Sequence, residues 1–366
     1  MATVAKSSLI HSTFAPMSAR RLLVLGGIAL VAGGMLFGDI FAVFILHQNA
    51  GQQGAALIAA NHAVAAGDEA AVNKIFGSLG SVLEDRGTKV DAHVHMIGAG
   101  YLALLLALVQ PFVALAPGAK KILATLFIVG ATLLPIGIFL IHYVGLAYSP
   151  FAVIGWASIL ADSAGALLIV VLVAEAWGFR NHLRTRALAE PALPEDDSWS
   201  RRTLLSGGTL LILLGFLHGA WYAGVYLYKH EQMETAILQN MTTAAGANDL
   251  ATATAQVGDF GNLAGSRAVN IAADSHIIEF GILAMLLSFV QPYVFLSERW
   301  KRRWTQAFLA GSVILPVFVL LELKFGLLAG GIADIGGLTV IVALVAMLVG
   351  VLRYTGTLDA STGVAS

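Results

Sequence analysis

Residues 91–113 read DAHVHMIGAGYLALLLALVQPFV, and this stretch decides the fold class. Its opening contains two histidines and leads into an apolar run that ends at Gln-Pro. Residues 272–294 read AADSHIIEFGILAMLLSFVQPYV and follow the same plan. Each run is long enough to cross a bilayer as a helix, because about 20 apolar residues suffice. The pair predicts a membrane protein built from two related halves.

The composition of the whole chain agrees with this prediction. Of 366 residues, 58% are hydrophobic and 12% are charged, and the mean hydropathy is +0.81. Soluble domains carry about 25% charged residues. We therefore predict an all-α polytopic membrane protein with eight transmembrane helices. The apolar stretches lie near residues 22–46, 92–115, 122–147, 152–177, 203–228, 271–296, 305–328 and 333–352.

The net charge and the lack of cysteine exclude several classes of protein. A net charge of −1 does not favour binding to nucleic acid. Without cysteine there are no disulfides, iron–sulfur clusters or covalently attached c-type haem. The chain also lacks the Walker A, HExxH, GxSxG and Rossmann motifs. Haem b and histidine-ligated metals remain open, and the sequence assigns no catalytic residue.

Lysine and arginine predict the orientation in the membrane. With the N-terminus inside, 15 of these residues lie on the inner side and 5 on the outer side, and Lys324 lies within a span. This bias predicts a multi-pass protein of a bacterial-type inner membrane with both termini cytoplasmic. The outer loops 47–90 and 229–270 are expected to form short helices that lie over the outer face.

The two halves align without a gap when the first is shifted along the chain so that His95 falls on His276. We call this shift, the separation in residue number between His95 and His276, the repeat offset. Between 92–115 and 273–296, 13 of 24 positions are identical. Each half holds four spans, so the halves are expected to be parallel repeats related by a pseudo-twofold axis along the membrane normal. The predicted segments are an N-terminal segment 1–21, a first repeat 22–178, a cytoplasmic linker 179–202, a second repeat 203–353 and a cytoplasmic tail 354–366.

One histidine pair is preserved between the halves. Of the ten histidines, only His95 aligns with another histidine, His276. We expect the two imidazoles to approach each other near the outer face and to ligate haem b, or copper or another metal ion. The sequence AHVH before an apolar run resembles haem-bearing helices of membrane cytochromes and haem–copper oxidases, over one helix in each half. That resemblance implies histidine-ligated haem and transfers no catalytic residue. The alternative is a histidine bonded to a carbonyl or a lipid headgroup.

Acidic residues and further histidines lie beside this pair. Asp91 is four residues from His95, and Glu279 is three from His276, so each carboxylate shares a helix face with its imidazole and could fix the tautomer of that ring. The alternative is a solvated interfacial carboxylate. His47, His93 and His142 form a hypothetical second metal site in the first half, against ordinary hydrogen bonding.

Three functions follow as hypotheses. The first is electron transfer near the outer face, with quinol or an outer-face redox protein as partner. The second is a proton-coupled transporter or channel, because intramembrane ionisable residues are usually functional. The third is a structural subunit that binds other membrane subunits through its outer loops. The polar pathway of the second hypothesis comprises Asp39, Asp162, His218, Glu322 and Lys324.

Overall fold

The structure is a computed structural model that describes residues 18–42, 44, 47–144, 155–185, 198–222, 225–226 and 228–354. Most of the predicted N-terminal segment and tail, and half of the predicted linker, therefore lie outside the described residues, as does the side chain of His47. The described residues form ten α-helices and no strand. Eight of these helices are long and apolar enough to cross a membrane, which agrees with the predicted class of polytopic helical membrane protein.

The helices are numbered in chain order: α1 (Ala19–Phe41), α2 (His47–Ala65), α3 (Glu69–Val109), α4 (Pro117–Val144), α5 (Trp156–Thr185), α6 (Trp199–Tyr222), α7 (Tyr228–Gly246), α8 (Leu250–Val290), α9 (Glu298–Phe325) and α10 (Leu327–Arg353). All except α2 and α7 are the candidate membrane spans.

Two of the helices are much longer than a bilayer requires. Helices α3 and α8 each contain 41 residues, which corresponds to about 60 Å. The hydrocarbon core is only about 30 Å thick, so both helices extend beyond it. The sequence predicts that the outer loops 47–90 and 229–270 form short helices lying over the outer face. In the structure, the later part of each loop instead belongs to α3 or α8. Each long helix runs from the predicted outer loop into the membrane span without a break. Neither helix contains a proline, and its glycines keep their backbone N–H donors.

Helices α2 and α7 pack back along these projecting segments and form two helical hairpins. Each hairpin turns through a residue with positive φ, Gly67 at 67° or Asn248 at 61°. An aspartate follows and caps the next helix: Asp68 accepts a hydrogen bond from Ala71 N, and Asp249 from Thr252 N. The hydrogen bonds with Thr252 lower the pKa of the Asp249 carboxyl. We call the side of the protein that bears these hairpins the hairpin side.

The opposite side, where α1 begins and α10 ends, is the terminal side. There Arg21 Nη2 donates to the carbonyl of Leu352 at 3.2 Å. The long helices end on this side as the sequence predicts, because Gln110-Pro111 and Gln291-Pro292 each begin a short 3₁₀ segment.

The spans form two bundles of four helices. The first bundle contains α1, α3, α4 and α5, and the second contains α6, α8, α9 and α10. Glycines allow close approach within each bundle. A Cβ atom on Gly27 would lie 2.9 Å from the carbonyl oxygen of Gly100, and one on Gly208 would lie 2.6 Å from that of Gly281. These two contacts correspond to each other at the repeat offset.

Similar backbone hydrogen bonds to the final helix of each bundle are separated by a different offset. Ala114 N donates to the carbonyl of Gly178 at 3.0 Å, and Phe295 N donates to that of Gly350 at 2.9 Å. Ala114 and Phe295 are related by the repeat offset, but the step along the chain from Gly178 to Gly350 is shorter. The ungapped alignment expected from the sequence therefore does not extend to α5 and α10.

The two bundles also differ in how their final helices pack. Helix α10 packs against α1 of the other bundle, whereas no comparable packing joins α5 to α6 within the described residues. Helices α1 and α10 both line a space between the bundles.

Candidate functional site

A cavity of about 530 Å³ lies between the two bundles. Its walls come from α1, α3, α8, α9 and α10. The volume falls within the range of about 300–1,000 Å³ that is usual for small-molecule and cofactor sites. The ionisable and phenolic side chains that line the cavity are Asp39, Arg86, His93, Tyr101, His276, Glu279, Glu322 and Asp334.

The cavity opens toward the hairpin side and is closed toward the terminal side. Lining residues near the hairpins, such as Val90 and Leu327, are exposed, whereas Ile97 and Phe280 deeper in the cavity are buried. Beyond them the terminal half is filled by fully buried side chains, including Leu23, Ile28, Leu104, Leu283, Leu344 and Met347. The cavity is therefore a blind pocket rather than a channel through the bundles.

His93 is held in a defined orientation on one wall. Its Nδ1 lies 2.7 Å from the carbonyl oxygen of Gly34 on α1. Because a carbonyl can only accept, Nδ1 donates and Nε2 keeps its lone pair. The ring edge that carries both nitrogens packs against Gly38, where a Cβ atom would lie 2.6 Å from Nδ1 and 3.0 Å from Nε2. Metal-ligating histidines also donate from their second ring nitrogen to an outer partner.

His276 lies on the opposing helix α8 and also lines the cavity. Its ring stacks on Phe280, with centroids 5.8 Å apart and planes 16° apart. It makes no hydrogen bond with any described residue. His93 is close enough to His276 to interact with it electrostatically, and Tyr101 stands in the same relation to Glu279. The cavity thus brings together two imidazoles, from α3 and α8.

The predicted pairing of His95 with His276 is not what the structure shows. His95 is exposed, and it does not line the cavity. Its Nδ1 lies 2.7 Å from the backbone carbonyl of Asp91, so the predicted contribution of the Asp91 carboxylate is absent as well. Residues two apart on a helix differ in direction by about 200°. Because α3 is already helical at this point, His93 faces the cavity and His95 faces away.

The hypothetical three-histidine metal site is not assembled either. His142 Nε2 lies 3.3 Å from Asp85 Oδ1 in a separate contact between α4 and α3. His93 instead bonds to α1, and the side chain of His47 lies outside the described residues. Among the residues that the structure describes, no group of three His, Asp or Glu side chains could hold a metal ion.

The predicted polar pathway is brought together only in part. Asp39 and Glu322 line the cavity, and Glu279 lies deeper in it. Asp162 is exposed on α5, and Lys324 is exposed with its ammonium 5.5 Å from the ring centroid of Phe325. His218 lies outside the cavity, with its Nδ1 3.7 Å from Asp274 Oδ1.

Sequence reasoning missed Arg86 and Tyr101, and it left Asp334 outside the proposed pathway. Tyr101 sits in an apolar run and gave no signal. Arg86 could have been found, because the repeat offset places it on another arginine, Arg267. Asp334 follows Asp162 by the same shorter step that separates Gly178 from Gly350. The match between Asp162 and Asp334 can therefore be recognised only after α5 and α10 have been aligned by their backbone contacts.

Comparison with models of known protein families, with characterised proteins and with solved structures found no match to this chain. Function must therefore be inferred from the chemistry of the cavity. Two imidazoles, one with a fixed tautomer, face a space of cofactor size that opens on one side of the membrane domain.

Proposed function

We propose that the protein binds haem b in the cavity, with His93 and His276 as axial ligands, and acts as a membrane electron-transfer protein. The observation that carries the proposal is the convergence of the two imidazoles from α3 and α8 on one cavity. Histidine is a common axial ligand of haem iron. The hydrogen bond from His93 Nδ1 to Gly34 leaves Nε2 available as a ligand.

Haem fits this set of residues better than a bare metal ion does. The porphyrin supplies four nitrogen ligands itself, so two imidazoles complete the coordination of the iron. A protein-bound copper or zinc ion needs three or four side chains, and no such group occurs among the described residues. A copper ion held by the two histidines and a further ligand from the substrate remains the alternative cofactor.

The blind shape of the cavity favours a redox site over a channel. Electrons reach a buried cofactor through protein, whereas ions need a continuous polar route, and the packed terminal half offers none within the described residues. The distribution of lysine and arginine supports a hairpin side that faces away from the cytoplasm. Quinol or a redox protein would then exchange electrons at that face.

We also propose that the two bundles are parallel repeats of one ancestral four-helix unit. The glycine contacts at the repeat offset support this origin, as do the matched backbone hydrogen bonds to Gly178 and Gly350. Under this proposal, the cofactor site arose only where α10 of the second bundle packs against α1 of the first.

The test is a reduced-minus-oxidised absorption spectrum of the purified protein and three variants. We expect a haem b spectrum in the wild type and its loss in His93→Ala and His276→Ala. His95→Ala is the matched control, since it removes an exposed imidazole two residues away from His93. A haem-free wild type, expressed with sufficient haem, refutes the proposal. Loss of haem in His95→Ala and His276→Ala, but not in His93→Ala, restores the pairing predicted from the sequence.

Proton-coupled transport is a second candidate, favoured by the four carboxyl groups in the cavity. Asp39, Glu279, Glu322 and Asp334 come from four different helices. Carboxyl groups in such a place can carry protons when the cavity alternates between the two sides. The expected result is pH-driven flux in liposomes from protein without haem, abolished by Asp39→Asn and Glu279→Gln.

A further inference from the structure

One cation in the cavity has no partner among the described residues. Arg86 lines the cavity and makes no ion pair or hydrogen bond with another residue in the described part of the chain. Its counterpart Arg267, by contrast, places Nη1 3.5 Å from Glu234 Oε2. The two arginines occupy matching positions on α3 and α8, and only one of them faces the cavity between the bundles.

The acidic residues beside Arg86 in the sequence are engaged elsewhere. Asp85 contacts both Lys89 and His142, and Glu84 Oε2 lies 3.9 Å from His142 Nδ1. These contacts turn both carboxylates toward α4 and away from the cavity. Arg86 is half-buried at the mouth of the cavity, and a partly desolvated guanidinium is stabilised when an anion pairs with it. The anion that Arg86 lacks within the described part of the protein is therefore expected from a ligand.

The position of Arg86 relative to the histidine shows which part of a ligand it would meet. Arg86 lies seven residues before His93 on α3, two turns closer to the hairpin side, or about 10 Å along the helix axis. Small residues of α8, Ala268 and Ala272, line the cavity opposite this turn. The cavity is thus wide beside the guanidinium. Its floor is formed by the apolar side chains of Ile97, Phe280 and Leu315, together with Tyr101 and Glu279.

We infer that Arg86 binds the carboxylate edge of the cofactor and so fixes its orientation, with the acidic edge toward the hairpin side and the apolar edge on the floor. This inference rests on the proposed haem binding. In haem b the acidic groups are the two propionates on one edge of the macrocycle, and an arginine fork matches a carboxylate in a bidentate way.

The experiment compares two ligands on the wild type and its variants. Haem b and the dimethyl ester of haem b, which has no free carboxylate, are titrated into haem-depleted wild type, Arg86→Gln, Arg86→Lys and Arg267→Gln, with the Soret band as readout. The wild type should bind haem b at least about tenfold more tightly than the ester. Arg86→Gln should lose this preference, while Arg86→Lys keeps part of it and Arg267→Gln keeps all of it.

The outcomes separate the two proposals. If the wild type binds neither porphyrin, haem binding itself is wrong. If the wild type binds both porphyrins equally, or Arg86→Gln keeps the full preference for haem b, the role of Arg86 is overturned while haem binding stands. An equal loss of both ligands in Arg86→Gln, with helix content unchanged by circular dichroism, also overturns it. Where Arg86→Gln does not fold, equal binding of both porphyrins by the wild type still overturns the inference. A reduced preference in Arg86→Lys with a full preference in Arg267→Gln then supports it.

Discussion

At the terminal ends of the two bundles, the glutamine that follows each long helix meets a different partner. Gln110 Nε2 donates to both carboxylate oxygens of Glu175 at 3.0 Å, and Lys120 Nζ donates to the Gln110 carbonyl at 2.8 Å. In the second bundle Gln291 Nε2 points at Met347 Sδ, 3.7 Å away. The backbones match here, yet one bundle buries a charged network and the other a thioether.

The same contrast occurs near the hairpin side. His93 on α3 packs against Gly38 and bonds to α1, whereas Asp274 on α8 packs against Gly219 and lies beside His218. The helix contacts are alike because small residues set the distance between backbones. The side chains at these positions are free to differ. Small residues thus determine how the helices pack, and other residues determine which polar groups lie beside those contacts. Exchanging side chains between the two bundles tests whether these two sets of residues are independent.

The largest effect is expected from exchanging the residues at the His93 and Asp274 positions. Under the proposed function, His93→Asp should abolish haem binding completely, because a carboxylate replaces the proposed axial imidazole. Asp274→His should create no second haem site, since its ring would face α6 rather than the cavity. Haem content per protein measures both effects. A second equivalent of haem in Asp274→His would contradict the proposed difference between the bundles.

A large effect on stability is expected from Met347→Glu. The variant buries a carboxylate without the lysine that the first bundle supplies, because Lys301 contacts Glu298 instead. We expect a loss of about 3 kcal/mol. The reciprocal Glu175→Met should lose about 1–2 kcal/mol, because it leaves the buried Gln110 amide without its acceptor but adds no buried charge. Thermal unfolding in detergent measures both. Equal losses in the two variants would show that the glutamine contacts are equivalent.

An intermediate and equal effect is expected from Gly100→Ala and Gly281→Ala. A Cβ atom on either glycine would lie 2.8 Å from a carbonyl oxygen of the neighbouring helix, that of Gly27 or Gly208. Each variant should lose about 1–3 kcal/mol. Gly98→Ala is the control, because no atom lies within 4 Å of its Cβ position. Unequal losses would argue against matched packing in the two bundles.

The smallest effect concerns the hairpin caps and depends on pH. The pKa of Asp249 is lower in the folded protein than its ordinary value, because the carboxylate accepts hydrogen bonds from Thr252. Its contribution is therefore present above the ordinary pKa and is lost as the pH falls through the folded value. Asp249→Asn should remove this acid sensitivity, as followed by hydrogen exchange of the α7–α8 hairpin at pH 7 and pH 3. Asp259→Asn on the exposed face is the control.

Hydrophobic length alone was enough to predict the spans, because every apolar run had to become a helix in a bilayer. The projecting halves of α3 and α8 were harder. Residues 69–90 and 250–270 are rich in small and polar residues, and only their continuity with the spans makes them long helices. Propensity over such residues does not distinguish one helix of 41 residues from two shorter ones.

Of the histidine pair selected from the sequence, His276 faces the cavity and His95 does not. Identity between the halves selected His95, since it is the histidine that repeats. A repeat comparison assumes that both copies have the same surroundings, and here they differ, because α10 packs against α1 while α5 lacks such a neighbour in the described residues. The histidine of the first half that faces the cavity is His93, whose counterpart in the second half is an aspartate.

Helices α3 and α8 run unbroken from the hairpin turns through the cavity walls, and this continuity makes each of them a lever. A tilt of about 5° moves the far end of a rod of about 60 Å by about 5 Å. His93 lies on α3 and His276 on α8, so a partner that moves the two hairpins apart or together would change the distance between the two imidazoles. The absorption spectrum of the proposed haem would then change when a partner binds to the hairpins outside the membrane.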